Sequence, residues 1–287
     1  MFMNLCDINI LKPLLKRHGF TFSKGLGQNF LCEESVPVAI AEGAGLFKDV
    51  CAIEVGPGVG ALTVELCKRA HKVIAIELDK RLPDLLKETV ADYDNFSLVE
   101  GDILKVNIPE ICKAFEGKKA VACANLPYYI TTPAITTLIE SKCFNTITVM
   151  VQREVARRIC AKPATSDYGA FTLFINYHAE ASIVTEVDRD CFIPAPNVDS
   201  TVVRLDIKDL PPVNCDKSKL FKLIHAAFAQ RRKTLLNCLW FAYKDKFDKP
   251  QIEEIIQKAG FSSTVRGEQL SLSDYEHLLY VLENYNK

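Results

Sequence analysis

No stretch of this 287-residue chain is both apolar and long enough to cross a bilayer, and its first residues hold no apolar core followed by a small-residue cleavage site. A cytoplasmic protein without a membrane partner is therefore expected. The 11 cysteines are odd in number, include no C-x-x-C pair, and several sit inside apolar runs, as Cys51, Cys67, Cys123 and Cys160 do. That pattern argues for reduced, buried thiols and against a disulfide framework or a zinc site, so no metal is expected. The five histidines, His18, His71, His178, His225 and His277, are scattered and read as structural or surface residues; no strong general base stands out. Bulk charge is lacking too, at −1 net, so a nucleic-acid partner is not announced by electrostatics alone. What the chain does have is 48% hydrophobic and 25% charged residues, enough for one large domain or a large and a small one.

The charge is unevenly placed. Residues 8 to 32 contain Lys12, Lys16, Arg17 and Lys24 and no acid. Arg153, Arg157, Arg158 and Lys162 recur near helical spacing, and Arg231, Arg232 and Lys233 are consecutive. Each group taken singly reads as a solvated helix face. Three such groups in one chain suggest a surface that tracks phosphates, with Lys24, Arg153, Arg157, Arg158, Arg231, Arg232 and Lys233 as its contacts.

Beyond a basic leading segment, residues 1–30, apolar runs and helical periods alternate. Helices are expected over 33–46 (with Pro37 in the first turn), 61–70, 80–90, 132–140 and 154–161. Strands are expected over 50–55, 72–77, 96–100, 121–124 and 146–152, with 181–187 and 200–207 pairing antiparallel at one edge. This alternation predicts an α/β domain around an open, mostly parallel sheet. After Pro211-Pro212 the pattern is purely helical, at 220–229, 233–240, 251–259 and 272–283. The expected division is a catalytic domain over 1–208 and a small all-helical domain over 209–287 that recognises the substrate.

A glycine-rich turn follows the first long strand, Glu54-Val55-Gly56-Pro57-Gly58-Val59-Gly60-Ala61. Gly56, Gly58 and Ala61 fit the dinucleotide pattern. Gly56, Gly58 and Gly60 fit the tighter spacing of S-adenosylmethionine enzymes. Glu77 ends the next strand, where a carboxylate can accept from both ribose hydroxyls of either cofactor. Asp102, after Gly101, is placed to accept from an adenine amino group or to cap the following turn. The turn thus predicts an adenosine cofactor without choosing between the two.

The choice comes from Asn125-Leu126-Pro127-Tyr128, at the end of the apolar run 120–124. An amide oxygen and a carbonyl at Leu126 or Pro127 can accept the two N–H bonds of an exocyclic amine, and Pro127 stiffens the backbone that aims them. Tyr128 offers a flat face for a flat substrate. The alternative is a strand that simply turns at a proline, its tyrosines packed in the core. An adenine N6 amine is a poor nucleophile because its lone pair is delocalised. Two fixed acceptors would draw the nitrogen toward tetrahedral geometry and aim the lone pair at a sulfonium methyl, catalysis by orientation rather than by a base. The base must be unpaired or flipped out to reach such a site. Phe192, in the proline-stiffened Cys191-Phe192-Ile193-Pro194-Ala195-Pro196, is a candidate to close on its second face, or else a loop aromatic tucked into the core.

Together these motifs resemble the ribosomal RNA adenine N6,N6-dimethyltransferase family over nearly the whole chain. The matching stretches are 27–31, 54–60, 76–79, 101–104, 125–128, 151–158, 192–205 and 228–237, in the family's order. The resemblance implies a class I, Rossmann-like methyltransferase fold with a seven-stranded sheet, and S-adenosyl-L-methionine held by Asn29, Leu31, Gly56, Glu77, Asp102 and Asn125. Val198-Asp199-Ser200 and the 230–237 segment are similar to the housekeeping branch, which dimethylates two adjacent adenosines in the 3′-terminal hairpin loop of 16S rRNA during small-subunit assembly. The sibling branch acts on 23S rRNA and confers macrolide resistance. Gly267, in Arg266 to Ser271, departs from the housekeeping signature, which more often has a bulkier residue or proline there. The expected partner is 16S rRNA within a 30S assembly intermediate, the RNA recognised by the helical domain over 209–287, and the expected state a monomer.

Overall fold

The computed structural model describes residues 3–22, 27–230 and 232–285. They form two compact units, Met1–Ala156 with Ala181–Ile207, and Arg157–Glu180 with Lys208–Lys287. The border expected after residue 208 falls near the last crossing between them. The segment 157–180, expected with the sheet, groups instead with the helices, because Tyr168, Leu173 and Tyr177 are buried in the helical core.

The first unit runs α1 (Ile8–Arg17), β1 (Phe30–Leu31), α2 (Ser35–Gly43), β2 (Cys51–Val55), α3 (Ala61–Arg69), β3 (Lys72–Glu77) and α4 (Pro83–Thr89). It continues with β4 (Phe96–Glu100), α5 (Ile108–Cys112), β5 (Ala120–Asn125), α6 (Thr131–Glu140) and β6 (Thr146–Gln152). α7 (Arg153–Ile159) begins in this unit and ends in the second, α8 (Ala170–His178) belongs to the second, and β7 (Ala179–Val187), β8 (Phe192–Ile193) and β9 (Ser200–Ile207) complete the first. Seven strands form one sheet in the order β4-β3-β2-β5-β6-β9-β7. The pairs from β4 through β6 are parallel and β9 is antiparallel to β6. The run β2, β3 and β5 is buried at nearly every position, which explains its continuous apolar sequence: helices cover both faces of a parallel sheet. Edge strand β4 is only partly buried.

Three helices, α1, the five-residue α5 and α8, were not among those expected. α1 lies in the basic leading segment; Asp7 caps it by accepting from Asn9 N, Lys16 and Arg17 sit in its last turn, and Leu11, Leu14 and Leu15 bury one face. α8 follows Gly169 and is apolar nearly all round, without the polar face that marks a surface helix. The second unit adds α9 (Lys217–Phe228), α10 (Leu235–Tyr243), α11 (Lys249–Lys258) and α12 (Leu272–Asn284), packed around Leu223, Leu239, Ile255, Tyr275 and Leu278.

Candidate active site

In an open parallel sheet, ligands bind beyond the carboxyl ends of the strands, where the strand order reverses. Here that point lies between β2, from which the chain winds outward through β3 and β4, and β5, which begins the opposite half. A cleft of about 1040 Å³, solvent-facing mouth included, opens there. Its lining comes from the ends of β2, β3, β4 and β5 together with the 27–31 segment. It includes Asn29, Leu31, Gly56, Gly58, Glu77, Asp102 and Asn125, all seven residues expected to hold the cofactor.

The glycine turn explains its own composition. Gly56, Gly58 and Gly60 have φ of +68°, +60° and +97°, a region costly for residues with a Cβ. A Cβ on Gly58 would lie 3.2 Å from the Phe30 ring, and one on Gly60 2.9 Å from Thr89 Oγ1. The turn therefore presents bare backbone to the cleft. Glu77 is buried; its carboxylate accepts from Asp79 N at 2.8 Å and Gly58 N at 3.4 Å, and burial raises its pKa. It ties the turn after β2 to the turn after β3. Asp102 accepts from Leu104 N at 3.0 Å, so it caps its turn while lining the cleft.

Glu54, the last but one residue of β2, is 1% exposed, and its Oε2 has no hydrogen-bond partner among the described residues. Burial pushes its carboxyl up to about 8; the Thr63 hydroxyl pulls the other way, and the charge of Glu77 adds to the rise. A carboxylate left half satisfied at the wall of a cleft is suited to a cationic ligand.

At the end of β5, Asn125 Nδ2 donates to Asn29 O at 3.2 Å, and Asn29 Nδ2 in turn donates to Gly27 O at 3.2 Å. Asn125 Oδ1 accepts no hydrogen bond among the described residues, so it remains available as an acceptor. Of the two carbonyls considered, Pro127 O is already engaged by Ile130 N at 3.1 Å and Thr131 Oγ1 at 3.4 Å. Leu126 O is not, and its side chain is anchored in the core at 1% exposure. The acceptor pair is thus Asn125 Oδ1 and Leu126 O, with Pro127 setting the turn. Tyr128 lines the cleft, half buried, and its hydroxyl shares a 2.8 Å hydrogen bond with Ser200 Oγ; burial raises its pKa. Tyr129 also lines the cleft, at 56% exposure, so the alternative in which both tyrosines pack into the core does not hold for it.

A latch that sequence reasoning did not assign holds the 27–31 segment over the strand ends. Gln28 Nε2 donates to Asp79 Oδ2 at 2.7 Å, and Arg81 grips the same carboxylate through Nε at 2.9 Å and Nη2 at 2.6 Å. The guanidinium, chiefly, holds the Asp79 carboxyl down at about 2. Arg81 Nη1 also donates to Thr21 O at 3.0 Å. Gln28 and Asp79 belong to two of the motifs singled out above, which was the available signal.

Two expected residues sit elsewhere. Phe192 is 3% exposed and packs in the core beside Leu31 and Val202 rather than lining the cleft. It is pinned there because β8 pairs with β1, Leu31 opposite Phe192. In this conformation it supports the wall that carries Leu31 and does not face a base. Arg153 is bound by two carboxylates, Asp199 at 3.0 Å and Glu186 at 3.3 Å, and so braces β9 and β7 instead of presenting a free cation. Arg157, Arg158, Arg232 and Lys233 are exposed and lie in the second unit. Lys24 and Arg231 lie outside the described residues.

Two carboxylates, an amide and a side-chain-free turn at the switch point of a parallel sheet suit an adenosine cofactor. Comparison with known proteins identifies the class. A family model described as "Ribosomal RNA adenine dimethylase" matches residues 19–275. The chain belongs to that family. It is 45% identical to the "Ribosomal RNA small subunit methyltransferase A" of Lactococcus lactis, over 94% of each chain. It is 41% identical to the protein of that name from Oceanobacillus iheyensis, over 96% of this chain and 95% of the relative. Among solved structures it resembles a dimethyladenosine transferase from Plasmodium falciparum, with a TM-score of 0.73, 27% identity, and 88% and 97% of the two chains covered. It also resembles the 23S rRNA methyltransferase ErmE, with a TM-score of 0.69, 27% identity, and 89% and 100% covered. The fold is the class I methyltransferase fold, and the protein is an S-adenosylmethionine-dependent ribosomal RNA adenine dimethyltransferase. The nicotinamide reading left open by the glycine turn is thereby set aside. Among the described residues no cluster of metal-ligating side chains occurs, and no helix is long and apolar enough to cross a membrane.

Proposed function

We propose that the protein dimethylates the N6 amines of two adjacent adenosines in the 3′-terminal hairpin loop of 16S rRNA, in the cytoplasm, as a monomer acting on a 30S assembly intermediate. The observation that carries the chemistry is the acceptor pair at the end of β5: Asn125 Oδ1 and Leu126 O both have no donor among the described residues, at the wall of one cleft. S-adenosylmethionine, when bound, supplies the methyl group. Glu77 and Asp102 are positioned to accept from the ribose and the adenine amine of that cofactor, the glycine turn lets it lie against backbone, and Asn29 orients Asn125. Asn125 and Leu126 take the two N–H bonds of the target amine and turn its lone pair out of the ring. Tyr128 stacks on the base, its ring fixed by Ser200. After transfer the nitrogen is positively charged and gives its proton to water, so no strong base is required. The same site accepts the monomethylated amine for the second round.

The small-subunit assignment is supported by the names of relatives that share more than two-fifths identity over nearly the whole chain. The modest net charge of −1 supports recognition of an assembled particle by shape, because such a protein gains little from non-specific phosphate binding. The deciding experiment is methyl transfer from radiolabelled S-adenosylmethionine to undermethylated 30S and 50S particles, followed by nucleoside analysis. Label in N6,N6-dimethyladenosine of 30S RNA alone is expected. Label in 50S RNA instead would move the protein to the 23S rRNA branch, and equal activity on a short naked hairpin would refute the requirement for an assembled particle.

A further inference from the structure

α10 buries Leu235, Leu236, Cys238 and Leu239 in the helical core, yet its next two residues are Trp240 and Phe241, exposed at 40% and 61%. Trp240 is the only tryptophan in the chain. Consecutive helical residues point about 100° apart, so the two rings widen the apolar surface instead of covering one another. Each ring has a lysine beside it: Lys249 Nζ lies 5.7 Å from the Trp240 ring and Lys244 Nζ 5.7 Å from that of Phe241. These distances are near the outer limit of a cation–π contact, and neither lysine forms an ion pair among the described residues. Each ammonium can therefore turn to a phosphate while its ring remains open. In sequence, residues 230–249 hold six basic residues, Arg231, Arg232, Lys233, Lys244, Lys246 and Lys249, against two acidic ones, in a chain whose net charge is −1. Of the two acids, Asp248 is committed to capping α11, accepting from Gln251 N at 2.8 Å.

We infer that Trp240 and Phe241, flanked by Lys244 and Lys249, form a stacking platform for unpaired bases of the ribosomal RNA substrate, a contact surface built on the helical unit. Aromatic faces interleaved with cations are the pattern of single-stranded nucleic-acid binding, whereas the cores of protein–protein interfaces are depleted in lysine. The inference rests on the ribosomal RNA reading above and adds to it a second site of contact.

The sole tryptophan makes the test direct. The full chain is titrated with undermethylated 30S particles while tryptophan emission is followed, and methyl transfer is measured in parallel. Saturable quenching is expected, along with photocrosslinking of Trp240 to RNA. Phe241→Ala should weaken binding about 5-fold, the low end of what one stacked base contributes. Trp240→Ala should raise KM by a similar factor with kcat unchanged, while Trp240→Phe retains most of the affinity. Lys244→Ala with Lys249→Ala should flatten the dependence of binding on salt. Phe241 is the more exposed of the two, so the circular-dichroism melt of Phe241→Ala should stay close to that of the parent. If the parent methylates 30S RNA while its emission and the Phe241→Ala affinity stay unchanged, the platform is refuted and the substrate reading stands. A crosslink from Trp240 to a ribosomal protein would equally overturn it. If the parent transfers no methyl group to 30S particles, the substrate reading fails, and the inference with it.

Discussion

Glu54 offers a perturbation whose size follows from its surroundings. Its carboxyl titrates at about 8 in the folded protein against 4.5 for an ordinary glutamate, chiefly because it is buried. The native state therefore holds a proton that the unfolded chain releases between those two values. Stability falls as pH rises through that window, since the unfolded state then binds fewer protons. At about 1.4 kcal/mol per unit, the cost is about 2 kcal/mol at pH 6, about 3 at pH 7 and about 4 at pH 8. Glu54→Gln removes the titration and leaves a buried amide, at a constant cost of about 1–3 kcal/mol. Urea unfolding at fixed temperature should thus show the wild type losing about 2 kcal/mol relative to the variant between pH 6 and pH 8. Parallel stability profiles for the two proteins would refute the assignment.

The same group couples to the cofactor. S-adenosylmethionine is cationic at its sulfonium and its ammonium, and an ionised Glu54 favours a cation in the adjoining cleft. Below about 8, binding should release a proton from Glu54, so affinity should rise with pH by up to about tenfold per unit and level off above that value. Calorimetry in buffers of different ionisation enthalpy measures the released proton directly. Glu54→Gln should bind with an affinity flat in pH over this range. A wild-type affinity that does not change between pH 6 and pH 8 would show that Glu54 does not sense the ligand.

Other substitutions probe the remaining parts. Asn125→Ala should lower the rate of methyl transfer by about 100-fold or more, since it removes one oriented acceptor; a variant at the parent rate would sink that role. Gly60→Ala forces a Cβ to φ +97° and to within 2.9 Å of Thr89 Oγ1, so thermal unfolding should show a loss of about 1–3 kcal/mol. Tyr128→Phe keeps the ring and loses only the Ser200 hydrogen bond, and should retain most activity, whereas Tyr128→Ala should raise KM for RNA by about 5-fold or more. Asp79→Asn should loosen the Gln28 latch and weaken cofactor binding with modest loss of global stability, because Arg81 is 45% exposed and solvent screens the pair. The contribution of Asp79 to stability is present above its unfolded value of 3.8 and disappears as pH falls through about 2, a trend opposite to that of Glu54.

The sheet was legible because it is parallel and covered on both faces. Runs such as Cys51–Val55 and Ala120–Asn125 are apolar throughout and end in glycine or a polar residue, so each strand and its carboxyl end stand out. Two of the helices that escaped notice did so for opposite reasons. α1 is held by one face of three leucines within a segment whose lysines and arginine dominate its composition. α8 is apolar on most sides because it contributes to the helical core, so it carries no period to read. Nor does sequence order reveal which core a segment joins: residues 157–180 interrupt the sheet unit in the chain yet bury Leu173 and Tyr177 with α9 and α12.

Within the site, the expected residues that line the cleft are those whose position is fixed by the end of a strand, because the strand dictates where the next residue points. Glu77, Asp102 and Asn125 follow directly from β3, β4 and β5. Phe192 and Arg153 went astray because their environments are set by partners far away in the chain. The ring of Phe192 is buried by the pairing of β8 with β1, more than 150 residues earlier, and Arg153 is claimed by two carboxylates later in the chain, Glu186 on β7 and Asp199 just before β9. A motif reports which side chains a site requires, but not whether a side chain faces the ligand or braces the wall behind it. Phe192 shows why the difference matters. Packed against Leu31, it contributes to the cleft by holding the 27–31 segment in place. Phe192→Leu, which preserves most of that packing, should therefore retain most cofactor affinity, and a smaller residue such as alanine should lose both affinity and stability.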